Sequence, residues 1–533
     1  MLRNLITWSS SRPPVLIISA LLLVSFNSTS SCSAAEMVPV AKNRLAGVVG
    51  DPTAGVLPLF PRLRSAVKAS FEDALIVTVN AIASKATGPL PSVGRDKFIE
   101  AVRNAVLTHP SVGQALVDFN VSSSASRELY SGFLPQVSGT GDVGYRSIGI
   151  TAPTDSAVQK GKYPNLGITV RQLLYDFNAT VNAYDAGLAR QKQAKAELEG
   201  ARSEYTMRAV TAYVDLLRMR SHNILAEQNV SSRKSLRDQV SERARSGGGS
   251  EADVTRAEAR YIESLANVAS VANKLRAAEG QFAEVFGIEA PSELPLPIDP
   301  DLRNADKPLS ELLALYSPAQ SREAARLAAE LDAEAAKSKM LPRLNAELSH
   351  GRRNWDNLSV GRSGSDTTAM LSLRYDFYTG GADTARREQA AYRAGRAALE
   401  LELVRRQFDR GLSQARSDVK NSDLIREARI RSATAAVRSM EAVQEQFKFN
   451  RGSLLDTIKT QEELYTAGKD MIDAVADRLI SRYRLLFFIS QLDQLFKIGN
   501  IAELPKEILL GATPPSKVEK TSIKASGNKP RAQ

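Results

Sequence analysis

Leu174-Tyr175-Asp176 and Gly247-Gly248-Gly249-Ser250 bound the stretch on which the fold turns, because the chain uses both landmarks twice. The echoes are Phe377-Tyr378-Thr379 and Asn450-Arg451-Gly452-Ser453, each 203 residues further on. The segment between the landmarks therefore has the same length in both copies. Its first copy, Ala179–Ser246, holds 68 residues. As an α-helix it spans roughly 100 Å, about three times the hydrocarbon thickness of a bilayer. Two matched helices of that length suit a conduit that bridges a wide gap, and do not suit a compact domain.

The apolar pattern of these segments is a narrow stripe. Leu198, Tyr205, Ala212, Met219 and Ala226 recur every seven residues; Phe408, Leu412, Ala415 and Val419 step by four, three and four, and Ile430, Ala433, Val437 and Met440 by three, four and three. Such spacing is that of a coiled coil, with small residues that permit close approach. After the Gly-rich tip, Glu251–Phe286 reads as a return helix, broken by Pro291, Pro295 and Pro297. Leu309–Met340, interrupted near Pro318, continues it, so two stacked helices match one long one. In the second copy Leu454–Ile498 returns partway, and Asp96–Ser131, interrupted at Thr108-His109-Pro110-Ser111, is available to complete that column.

Ahead of each long helix the period changes to two. Leu134-Pro135-Gln136-Val137 and Leu341-Pro342-Arg343-Leu344 open segments that read as strands, Val137–Ile150 and Leu344–Val360, with turns at Pro153–Lys162 and Gly361–Thr367. In the return strands Leu166, Ile168 and Val170 alternate with Gly167, Thr169 and Arg171, and Ala369, Leu371 and Leu373 with Met370, Ser372 and Arg374. Tyr175-Asp176-Phe177 also recurs verbatim at Tyr375-Asp376-Phe377, an offset of 200. That alignment would exchange the two faces of the strand; the offset of 203 keeps apolar on apolar. One face of each strand pair is thus apolar, and the other is polar and carries arginine. In a soluble sandwich the apolar face would pack inward; in a membrane barrel it meets lipid and the polar face lines the lumen, which would assign Thr169, Arg171, Ser372 and Arg374 to the lumen. Four strands cannot close a barrel, and lipid does not tolerate open edges, so strands of this kind in a membrane require a homo-oligomer.

Arg3 and Arg12 precede an apolar run, Val15–Phe26, followed by Ser30-Ser31-Cys32-Ser33-Ala34-Ala35. This is the pattern of a secretory signal peptide, too short to span a bilayer, with cleavage after Ala35. Cys32 permits another reading, lipoprotein processing that leaves it acylated, although Thr29 stands where such sites usually carry Leu. With one cysteine in 533 residues, no internal disulfide is possible. The net charge of +11 is spread as mixed Lys, Arg, Asp and Glu along the helical stretches, as expected of solvated helix faces and not of a nucleic-acid surface. Residues 36–95 form a Pro- and Gly-punctuated extension with a short candidate helix at Ser65–Ile82, and residues 506–533 a basic tail that reads as disordered.

Gly139-Thr140-Gly141-Asp142-Val143-Gly144 fits the dinucleotide fingerprint as a string, but no strand–turn–helix surrounds it. His109, His222 and His350 lie far apart. Nothing in the chain reads as catalytic, and no cofactor or metal is implied. The tips are more informative. Ser250-x-x-Asp253 and Ser453-x-x-Asp456 both open return helices as capping boxes. Gly247, Gly249, Asn450 and Gly452 form the turns, and Asp253, Arg256, Asp456 and Lys459 are placed to surround a pore mouth.

With its duplicated unit and the strings Gly132-Phe133-Leu134-Pro135-Gln136-Val137, Gln172-Leu173-Leu174-Tyr175-Asp176-Phe177, Thr379-Gly380-Gly381-Ala382-Asp383 and Gly452-Ser453-Leu454-Leu455-Asp456, the chain resembles the TolC family of outer-membrane channel proteins over about Phe98–Ile498. The resemblance implies a mainly α protein with a membrane β-barrel part. Three chains would build a 12-stranded barrel continued by an α-helical coiled-coil barrel, in the outer membrane of a Gram-negative bacterium with a large periplasmic portion. It also implies a periplasmic adaptor and an inner-membrane transporter as partners. The family's acidic ring falls on Asp456; Lys459 stands where some members carry a second acid, so an Asp456–Lys459 pair would replace it. Leu-Leu-Tyr-Asp-Phe and Gly-Ser-Leu-Leu-Asp look closest to members serving type I protein secretion, which use an ABC transporter. The alternatives are small-molecule efflux with an RND pump, and a soluble periplasmic coiled-coil scaffold. The expected organisation is 1–35 signal peptide, 36–95 extension, 96–290 first repeat, 291–505 second repeat and 506–533 tail.

Overall fold

The computed structural model describes residues 92–152, 155–302, 305–355, 362–449 and 451–498. The expected signal peptide with Cys32, the candidate helix Ser65–Ile82, the basic tail and Asn450 lie outside the described residues. The first helix, α1 (Ser92–Thr108), begins four residues ahead of the expected repeat boundary. It is followed by α2 (Pro110–Tyr130), β1 (Gln136–Ala152), β2 (Asp155–Tyr175), α3 (Ala179–Arg245) and α4 (Glu251–Phe286). The second copy is α5 (Leu309–Leu315), α6 (Ser317–Ser338), β3 (Arg343–Trp355), β4 (Arg362–Arg374), α7 (Ala382–Lys448) and α8 (Leu454–Phe488), closed by the short α9 (Leu492–Leu495).

The two long helices, α3 and α7, have 67 residues each and start and stop 203 residues apart. Their N-termini are built alike at that offset. Asp176 Oδ2 accepts the Thr180 N–H at 2.8 Å; its counterpart Thr379 accepts the Asp383 N–H at 3.3 Å. Two left-handed residues precede each helix, Phe177 and Asn178 (φ 54° and 66°) in the first copy and Gly380 and Gly381 (67° and 85°) in the second. The second copy adopts with glycine what the first adopts against a Cβ penalty. The offset of 200 also leaves a trace: Tyr175 and Phe177, and Tyr375 and Phe377, form ring pairs with centroids 4.7 Å apart. A longer link between β4 and α7 accommodates both alignments.

The strands form one antiparallel sheet in the order β1-β2-β3-β4. The ladder runs further than the sequence suggests. Ala152 pairs with Asp155 and Trp355 with Arg362, so most of the expected turns at Pro153–Lys162 and Gly361–Thr367 belong to strands. Backbone pairing in a tight hairpin continues regardless of side-chain polarity, and a Pro- and Lys-containing stretch masks it in the sequence. The string Gly139–Gly144 lies wholly within β1.

Each return helix packs along its own long helix, α4 and α6 on α3 and α8 on α7, with α6 also lying against α7. Phe98, Tyr213, Phe282, Phe408, Tyr483 and Phe496 are fully buried in the main core, where the ends of the return helices meet the middle of the long ones. The Pro-rich connection after α4 is stitched into this core: Tyr213 donates to the Pro295 carbonyl at 2.6 Å and Tyr483 to that of Ile298 at 2.5 Å. Nearly every stripe residue is buried where the heptad pattern places it, including Leu198, Tyr205, Ala212 and Ala226 on α3 and Phe408, Leu412, Ala433 and Met440 on α7; Met219 is half-buried against the core. One expectation changes. Within a chain α1 and α2 pack along α3 and do not complete the column beside α7, where Tyr392, Leu399 and Leu403 stay exposed. The His109–Pro110 break aims α2 along the neighbouring long helix: the His109 ring stacks on Tyr205 at 4.0 Å.

Candidate functional site

Register settles which strand residues share a face. Gln136 sits opposite Arg171, Arg171 opposite Glu347 and Glu347 opposite Met370, while Ser372 and Arg374 face Asn345 and Arg343. Thr169, Arg171, Ser372 and Arg374 therefore lie on one face, with Ser138, Thr140, Asn345 and Ser349; Leu173 and Met370 are among its large apolar members. Arg171 donates to Glu347 Oε2 at 3.3 Å. The other face carries Val137 and Val143 on β1, Leu166, Ile168 and Val170 on β2, Leu344 and Leu348 on β3, and Leu371 and Leu373 on β4. These side chains are not packed within the chain: Ile168, Leu371 and Leu373 remain 57%, 69% and 70% exposed. A sheet with one uncovered apolar face, one polar face and two open edges, β1 and β4, has the chemistry of part of a lipid-embedded barrel.

At the opposite end of the long helices lie the two hairpin tips. Leu236, Val240, Ala257, Phe447 and Ile458 form a small core that joins them, and the Arg243 guanidinium sits over the Phe447 ring at 5.1 Å. In the first tip Gly247 is left-handed at φ 76°, and Gly249 lies against the Ala244 backbone. The Ser250 hydroxyl accepts the Asp253 N–H at 3.2 Å, the serine half of a capping box, and donates to the Asp253 carboxylate at 3.0 Å. Arg256 then pairs with Asp253 at 3.3 Å.

The second tip departs from this pattern. Ser453 accepts the N–H of Leu455, at 3.2 Å, in place of that of Asp456. Gly452 passes so close to the preceding helix that a Cβ would stand 2.9 Å from the Phe447 nitrogen. Asp456 is exposed in the first turn of α8, where the positive helix end favours a carboxylate. Lys459 reaches Glu463 at 3.9 Å, so the expected Asp456–Lys459 pair is not formed. An acid one turn further along competes for the ammonium, while Asp456 remains at the helix end.

Sequence reading missed a polar seam between α3 and α8. His222 Nε2 lies 2.8 Å from Asp473 Oδ1. Arg218 reaches Asp477 at 3.0 Å, and the buried Arg233 reaches Glu462 at 2.6 Å. Burial raises the Asp473 carboxyl, but the hydrogen bond with His222 and the charges of His222, Arg218 and Lys469 outweigh it and hold the group below its usual range. Burial pushes Asp215, beside Arg218, upward. The partners are more than two hundred residues apart in the chain. The available signal was the charged residues interrupting the apolar stripe of α3. Among the described residues no group of three or more His, Cys, Asp or Glu is placed to hold a metal ion, and no helix is long and apolar enough to cross a membrane.

Comparison with known proteins gives a consistent result. The family model described as outer membrane efflux protein matches residues 101–287 and 310–489, the two copies of the repeat. The outer membrane efflux protein BepC of Brucella suis is 23% identical over 386 residues, covering 72% of this chain and 82% of that one. The outer membrane protein TolC of Vibrio cholerae is also 23% identical, over 425 residues, covering 77% and 94%. The crystal structure of the Campylobacter jejuni CmeC outer membrane channel superposes with a TM-score of 0.67 at 14% identity, covering 76% of this chain and 90% of that one.

Proposed function

The chain belongs to the outer membrane efflux protein family, and from that premise we propose that this outer-membrane channel is the exit duct of a type I protein secretion system. Three chains form the duct. Substrate passes passively from the periplasm to the exterior, an inner-membrane ABC transporter supplies the energy, and a periplasmic adaptor joins the two. The observation that carries the channel reading is the sheet, with exposed apolar side chains on one face, polar ones on the other and a free edge on each side. Closing β1 of one chain on β4 of the next removes both edges, as a bilayer requires. The same contact brings α2 of one chain beside the exposed Tyr392, Leu399 and Leu403 of its neighbour and completes the helical column. Thr169, Arg171, Ser372 and Arg374 line the lumen, and Asp253, Arg256, Asp456 and Lys459 stand at its inner mouth.

The protein-secretion reading rests on the strings Leu173-Leu174-Tyr175-Asp176-Phe177 and Gly452-Ser453-Leu454-Leu455-Asp456. A second reading, small-molecule efflux with an RND pump, is favoured by the relative from Brucella suis that bears the name efflux protein. The extracellular proteome of a deletion strain separates them. Loss of one or a few large proteins, restored by complementation, supports secretion. An unchanged secretome with new sensitivity to dyes or antibiotics overturns that reading in favour of efflux.

A further inference from the structure

At the roots of the strands, where β3 and β4 meet α3, α6 and α7, lies a groove of about 880 Å³. Its floor is α6, whose alanines, among them Ala328 and Ala335, leave it deep. Its walls carry six cations, Arg190, Lys339, Arg343, Arg374, Arg386 and Arg393, against three acids, Asp332, Asp376 and Asp383. All three acids are already engaged. Asp332 pairs with Arg190, Asp376 with Arg374 at 3.4 Å and Asp383 with Arg386 at 2.8 Å. Lys339, Arg343 and Arg393 have no ion pair among the described residues.

A second observation points the same way. Arg343 stands directly opposite Arg374 across the β3–β4 ladder. Like charges in that position repel and weaken the pairing. Further up the same face the corresponding charge is neutralised, Arg171 by Glu347 at 3.3 Å. The groove's positive surplus thus sits at the strand roots, on the polar side of the sheet. A positively charged concavity concentrates anions, and guanidinium groups bind the oxygens of carboxylates and phosphates in charge-assisted pairs.

The geometry points to an anion-binding collar at the root of the barrel, three grooves per trimer, that takes multivalent oxyanions and makes this level of the lumen anion-selective. The inference rests on the trimeric, lumen-facing reading above. The test uses the purified full-length protein and inorganic pyrophosphate as probe. Calorimetry on the detergent-solubilised protein is expected to show one site per chain, weakened tenfold or more in the triple variant K339Q/R343Q/R393Q. Arg406→Gln, outside the groove on α7, should leave binding unchanged. In planar bilayers pyrophosphate added from the strand side should reduce the conductance of the parent and not of the triple variant. Conducting channels that neither bind pyrophosphate nor are blocked by it overturn the collar alone, as does equal binding by parent and triple variant. A protein that forms no conducting trimer overturns the lumen assignment, and the collar with it.

Discussion

Gly452 shows how much of the inner tip depends on a single missing methyl group. Its backbone crosses that of Phe447 and Gln446, and backbone cannot yield as a flexible side chain does. Gly452→Ala should destabilise the second hairpin by about 1–3 kcal/mol, seen as faster amide exchange confined to the tip. Gly280, an exposed glycine within α4 with nothing around it, provides the contrast. Gly280→Ala should stabilise by about 0.8–1 kcal/mol through helix propensity. Asp473 links residue chemistry to pH. A carboxyl held below its usual value of 3.8 favours the folded state above that value, and the gain disappears as pH falls through the lower folded value. Asp473→Asn should therefore lower stability at neutral pH and flatten the acid limb of a pH-dependent unfolding series. A parallel acid limb in the variant would show that the His222 contact contributes nothing.

The two long helices have equal length but unequal surroundings. α3 is flanked by α2, α4, α6 and α8 and buries polar as well as apolar residues, Arg202, Thr206, His222 and Arg233 among them. α7 keeps its stripe buried against α8 but leaves one flank uncovered, with Tyr392 77% exposed. The difference separates two kinds of hydrophobic residue. Phe408, 1% exposed in the main core, should cost about 3–5 kcal/mol on truncation to alanine and lower the unfolding temperature of the chain. Tyr392→Ala should leave the fold of the chain intact and instead lower the temperature at which the trimer dissociates, read by heat-modifiable migration on semi-native gels.

For the molecule as a whole, the decisive feature is a sheet whose faces differ and whose edges are free. Adjacent residues on β4 then have opposite tolerances. Leu371→Lys places a charge among the exposed apolar side chains and should cost about 2–4 kcal/mol if it lies near the bilayer midplane, reducing the trimer recovered from the outer-membrane fraction. Ser372→Lys, on the polar face, should assemble normally. Equal recovery of the two variants would mean that the apolar face does not meet lipid.

The duplicated unit, the offset of 203, the helix–helix breaks at His109 and Pro318 and the two faces of the strands were all legible in the sequence, because each depends on local spacing: heptads, alternation and capping residues. The length of the hairpins was not, since backbone pairing is indifferent to the polarity that marks a turn. The Asp456–Lys459 pair failed because a neighbouring acid competed for the same ammonium. The His222–Asp473 and Arg233–Glu462 contacts, and the groove uniting Arg190, Arg343 and Arg393, could come only from the tertiary structure. They join residues from different copies of the repeat, and no periodicity along one helix encodes which residue of another helix it will meet.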